Sequence, residues 1–128
     1  MTNREIYENS LRLLAQGVVS GENEDYEERA PYLIASFCTE AEEIDSYLRK
    51  ALGMAAAQSF GKVWLALEEE FPLLERLAPV ACLYLAAMLI LDEDSELSDK
   101  LYDRYCDAIS SIRNGILAAL ESIVDRYF

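Results

Sequence analysis

FPLLERLAPVACLYLAAMLILDEDSELSDKLYDRYCDAI, residues 71–109, decides the fold. From residue 80 to residue 91 almost every position is apolar, with Tyr84 the only polar handle. The run then meets Asp92, Glu93 and Asp94 before apolar residues resume at steps of three and four. A helix apolar all round is central or shared between chains, whereas a stripe at that spacing marks an amphipathic helix lying on a core. Asp94 or Ser95 is placed to cap the second of these helices, with Glu96 in its favourable first turn.

Downstream, Leu97, Leu101, Tyr105, Ala108, Ile109, Ile112, Ile116, Leu120, Ile123 and Tyr127 keep helical spacing as far as Tyr127. Unbroken, that helix is about 30 residues and roughly 45 Å long at 1.5 Å per residue, more than a compact domain of this size accommodates. Either the helix runs on unbroken or Asn114 and Gly115 break it and leave a tail helix within residues 116–128, and both forms project apolar surface. Upstream, Pro72 suits the first turn of a helix and Pro79 then interrupts that helix, so residues 71–78 form a separate turn before the apolar helix.

Residues 51–70 lose the periodicity and read as a connector able to hold a short strand or hairpin, pinned by Phe60 and Trp64 to the core or to a neighbouring subunit. Before it, Tyr26, Ala30, Leu33, Ile34, Phe37, Cys38, Ala41, Ile44 and Leu48 define one apolar face of a long helix. Asp25 is expected to cap that helix and Pro31 to bend its first turn. Thr2 and Glu5 form a capping box for a first helix over residues 3–16, which Gly17 and the polar run at residues 20–24 end. The fold class is all-α, four to six helices with an apolar central helix and a long amphipathic C-terminal one. Residues 1–128 form a single all-helical domain.

With 11 Lys and Arg against 24 Asp and Glu, the formal net charge is −13. Phosphate neutralisation drives nucleic-acid affinity, so no sequence-specific nucleic-acid binding is expected, and anionic membranes repel such a chain. Histidine is absent. Ser-His and Cys-His nucleophiles, histidine-ligated zinc and carboxylate-histidine di-iron sites are thereby excluded. Cys38, Cys82 and Cys106 stand far apart with no CxxC pair and read as free thiols in a reducing compartment. The charged start MTNREIYENS and the shortness of the apolar runs predict a soluble intracellular protein with no membrane span.

Residues 92–96 imitate the start of a calcium loop, but Leu97 holds the place of the obligatory glycine and Asp103 that of the final glutamate. Gly53 and Gly61 lack the lysine and spacing of a phosphate loop. Glu40 with Glu43, Glu42 with Asp45, and Glu96 with Asp99 stand at the one-turn spacing with which all-α nucleotide pyrophosphohydrolases hold magnesium. With 24 acidic residues such spacings also arise by chance, so an enzyme of that kind is an alternative only. No catalytic, cofactor-binding or metal-ligating residue is singled out, and no cofactor is expected. Tyr84, Tyr102, Tyr105 and Tyr127 lack a basic stripe and read as packing residues.

The segments DYEERAPYLIASFCTEAEEID (residues 25–45) and EFPLLERLAPVACLYLAAMLILDEDSELSDKLYDRYCDAI (residues 70–109) resemble small acidic prophage-encoded proteins. They are similar to the all-α head-tail connector, or head-completion adaptor, proteins of tailed phages. The resemblance implies a homo-oligomeric ring between portal and tail proteins, with DNA passing through its centre, made in the host cytoplasm and incorporated in the virion. On that basis apolar surface is expected to be buried between subunits, or against portal and tail, through Trp64, Val80, Leu83, Tyr84, Met88, Ile116, Leu120, Ile123 and Tyr127. A cytosolic helical adaptor outside phage biology, with one peptide-like partner, is the other alternative.

Overall fold

A computed structural model describes residues 1–15, 24–55 and 60–127, with side chains as far as residue 116. Among the described residues it is all-helical, with α1 (Asn3–Leu13), α2 (Glu24–Ala51), α3 (Ala78–Ile90) and α4 (Ser95–Tyr127), and a 3-10 turn at Glu75–Leu77 leading into α3.

The Thr2–Glu5 capping box is formed as the sequence predicts. Helix starts leave backbone donors without an internal partner. Here Glu5 N–H donates to Thr2 Oγ1 at 3.2 Å, while Asn3 and Arg4 N–H donate to the Glu69 and Leu67 carbonyls at 2.9 and 2.8 Å. The connector thus closes the start of α1. That helix ends at Leu13, earlier than expected, and Ala15 turns the chain with a φ of 57°. The expected helix end at residue 16 and the polar loop around Gly17 lie outside the described residues.

Asp25 is not a cap. It lies inside the first turn of α2 and accepts from Arg29 Nη1 at 3.4 Å. The helix continues through Pro31, buried in its interior. At the far end Gly53 takes a φ of 73°, with Met54 N–H on the Arg49 carbonyl and Gly53 N–H on the Lys50 carbonyl. This is the left-handed glycine ending that satisfies the last carbonyls of a helix.

The connector contains no strand among the described residues. Residues 60–74 form an irregular strap, with a turn where Glu69 N–H meets the Ala66 carbonyl at 3.2 Å, tied to the helices. Phe60 N–H reaches Glu42 Oε1 at 3.1 Å and Leu65 N–H the Pro31 carbonyl at 3.2 Å. Phe71 N–H binds the Met1 carbonyl at 2.9 Å, and Leu74 N–H binds Asp45 Oδ1 at 2.9 Å. Leu65, Leu67, Phe71 and Leu73 point inward from this strap and are buried.

α3 is the hub, packing against α1, α2 and α4 and against the 3-10 turn before it. Ten of its thirteen residues are buried. Of the two readings of so apolar a helix, central or shared between chains, the structure takes the first: α1, α2 and α4 cover it. Pro79 starts α3 rather than interrupting it, because proline has no donor to lose in a first turn. Asp94 Oδ1 caps α4 by accepting Leu97 N–H at 3.1 Å, and Ser98 Oγ donates to the Ala87 carbonyl at 2.8 Å to tie the α3–α4 hairpin.

Of the two forms open at Asn114 and Gly115, the structure takes the unbroken one. α4 is one helix of 33 residues, roughly 50 Å at 1.5 Å per residue. The glycine is tolerated because one such residue inside a helix costs only about 1 kcal/mol.

Candidate functional site

Three features stand apart from plain core packing: an aromatic cluster, an exposed apolar strap and a groove over α3. The cluster joins α2, α3 and α4. Phe37 has its ring centroid 6.3 Å from Phe71, 5.8 Å from Tyr84 and 6.2 Å from Tyr105. Tyr105 lies 5.3 Å from Tyr84 and 5.4 Å from Tyr102. Tilted and edge-on pairs at these separations add to the stability that burial alone supplies. The polar tips are occupied, with Tyr84 Oη 3.0 Å from Ser36 Oγ and Tyr105 Oη donating to Glu40 Oε2 at 3.4 Å. Burial first, and then the Glu40 carboxylate, raises the Tyr105 phenol well above its ordinary value. The packing role expected of these tyrosines is what the geometry provides. Tyr127 lies outside the described side chains.

The carboxylate pairs are not gathered into a metal site. Glu42 receives the Phe60 amide, and Asp45 is buried against Arg49 and Leu74. Glu40 is exposed and meets Tyr105, while Glu43, Glu96 and Asp99 face solvent. Among the described residues no three acidic or cysteine side chains stand close enough to hold an ion. Burial pushes Cys38 up to about 12 and Cys82 up to about 11, so neither is a thiolate near neutrality. Tyr26, buried beside Glu93 without meeting hydrogen-bond geometry, is pushed up to about 12 by burial and then by that carboxylate.

The residues expected at an interface separate into distinct groups. Val80 and Tyr84, 4% and 7% exposed, belong to the chain's own core. They are withdrawn from any contact surface because α3 is covered from within. Leu83, Met88 and Ile116 are half-buried and packed against that core. Trp64 is 48% exposed and its neighbour Val63 79% exposed. Leu120, Ile123 and Tyr127 lie on α4 beyond the described side chains.

The sequence did not single out the groove. α1 and α4 each pack on α3 with little contact between themselves, and between them lies a hollow of about 460 Å³. Leu13, Ala78, Pro79, Cys82 and Leu83 supply apolar wall, Asn9, Glu75 and Arg104 are its polar side chains, and Met1, whose ammonium lies 3.7 Å from Glu75, completes it. Arg104 is exposed and makes no hydrogen bond or ion pair among the described residues. The volume falls in the range of ligand-binding clefts. Its members come from α1, the 3-10 turn, α3 and α4, and the periodicity of one helix carries no sign of what faces it across a gap.

No helix among the described residues is long and apolar enough to cross a membrane. Set against protein-family models, curated proteins and solved structures, the chain matches none of them.

Proposed function

We propose that this protein works by contact with other proteins, as an assembly subunit of the head-tail connector kind, and not by turning over a substrate. The observation that carries this is the strap. Val63 and Trp64 hold large apolar surface in solvent on a segment whose flanks are fixed by hydrogen bonds from Phe60 and Leu65. Holding such side chains rigidly before contact lowers the entropy lost on binding, and aromatic anchors dominate interface energetics. The net charge of −13 suits a ring through which DNA slides without sticking. The partners in this proposal are further copies of the chain and the portal and tail proteins.

Sedimentation across a concentration series tests the proposal, together with inspection of the neighbouring genes. Association that rises with concentration and weakens in Trp64→Ala, with portal and tail genes alongside, is the expected result. A strictly monomeric species at high concentration, from a gene with no phage neighbours, defeats it.

A further inference from the structure

Resting on that assembly proposal, we infer that the groove between α1 and α4 is the receptor for the C-terminal third of α4 from a second copy, so that subunits join head to tail. α1 and α4 flank α3 and leave its Pro79, Cys82 and Leu83 face as the floor of a trough between two helices. Such a trough takes a further amphipathic helix, as in helix-in-groove recognition.

The sequence of α4 supplies one. At 100° per residue Ile116, Leu120, Ile123 and Tyr127 share one face, and Leu117 and Val124 widen it. Glu121 falls at one edge of this apolar arc and Arg126 at the other. The groove offers a matching charge, since its wall carries one guanidinium without a partner among the described residues, Arg104, while Glu75 already faces the Met1 ammonium at 3.7 Å. Glu121 is matched to Arg104.

The occupant cannot be the chain's own tail. Arg104 and residues 116–127 lie on one unbroken helix, roughly 18 to 35 Å apart along its axis, and no turn folds the tail back. A donor tail therefore enters another molecule's groove. The donor's own groove is left open for a third, which is the heterologous contact that yields rings or filaments. One short helix in a trough is a small interface, so each contact is weak and closure of the ring supplies the stability.

The test uses full-length variants altered at exposed groove positions or on the tail. Leu13→Glu combined with Arg104→Glu blocks the groove, and Leu120→Glu combined with Ile123→Glu blocks the tail; circular dichroism of each checks folding. In sedimentation each variant alone is expected to lose association by ~tenfold or more. An equimolar mixture retains one intact groove and one intact tail and is expected to give a 1:1 dimer and nothing larger. Glu121→Arg is expected to restore association to Arg104→Glu. Wild-type association that survives the groove variants overturns the inference while leaving the assembly proposal standing. If association is instead lost only in Trp64→Ala, the contact belongs to the strap and the inference again fails. A wild type monomeric at every concentration overturns the inference, and with no phage genes alongside it overturns the assembly proposal as well.

Discussion

Asp45 Oδ2 accepts a 2.7 Å hydrogen bond from Arg49 Nε one turn along α2, with the carboxylate only 1% exposed. Its other oxygen takes the Leu74 amide at 2.9 Å, and Arg49 Nη2 reaches the Pro72 carbonyl at 3.1 Å. One ion pair thus ties the strap to the helix it crosses and fixes how the chain enters α3. Removing one partner of a buried pair leaves the other charged and unpaired, at a cost of about 3–5 kcal/mol. Asp45→Ala is expected to lose about 3 kcal/mol, the low end because Arg49 is partly solvated. Asp45→Asn, which still accepts from Leu74, loses less. Urea denaturation of the two variants gives the comparison, and equal losses would show that the Leu74 contact contributes nothing.

The cap of α1 is a smaller joint of the same kind. Thr2 Oγ1 accepts the Glu5 amide while the Glu5 side chain reaches back to the Thr2 amide. Thr2→Ala is expected to cost about 1 kcal/mol. A thermal midpoint unchanged from wild type would mean that α1 is held by the strap carbonyls alone.

These two joints show what a linear sequence reveals. The Thr2–Glu5 box, the apolar face of α2 and the Asp94 cap are local patterns, and the structure forms each of them. Asp45 and Glu42 look from sequence like members of a polar face. The strap that buries one and bonds the other arrives from residues 60–74, which no helical period foretells. Which elements cover the central α3 is hidden for the same reason, since what encloses Val80 and Tyr84 belongs to other elements of the chain. The groove is less legible still, because Leu13 and Arg104 meet only through the way α1 and α4 pack on α3.

Alkaline pH should weaken the fold. Cys38 is raised from 9.0 to about 12, Cys82 from 9.0 to about 11 and Tyr26 from 10.0 to about 12, burial being the main cause in each. The native state holds these protons more tightly than the unfolded chain. Their contribution is therefore complete below pH 9.0, where the unfolded thiols are still protonated, and is lost as pH rises toward the native values near 11 and 12. The urea midpoint is expected to stay level between about pH 7 and 8.5 and to fall above about pH 9. A midpoint that rises across the alkaline range is incompatible with buried neutral thiols.

Trp64 is the only tryptophan, so its fluorescence reports on the strap alone. At 48% exposure it should be readily quenched by acrylamide in the isolated protein. Docking of a partner over the strap should protect it, in step with association measured by sedimentation. Quenching that stays constant while the protein assembles would place the contact away from Val63 and Trp64.

Gly115 gives the sharpest check on α4. The helix passes through it without a break, and a Cβ built there meets nothing within 4 Å. Glycine inside a helix is less favourable than alanine by about 1 kcal/mol, chiefly because the unfolded chain is freer. Gly115→Ala is therefore expected to stabilise the protein by up to about 1 kcal/mol, read as a higher urea midpoint, and to slow amide exchange beyond residue 115. Gly115→Pro should do the reverse, removing a helical hydrogen bond and loosening the tail without touching the residues of the core around Phe37. If alanine instead destabilises the protein, residues 114 and 115 form a break, and the long α4 that carries the head-to-tail contact does not persist in solution.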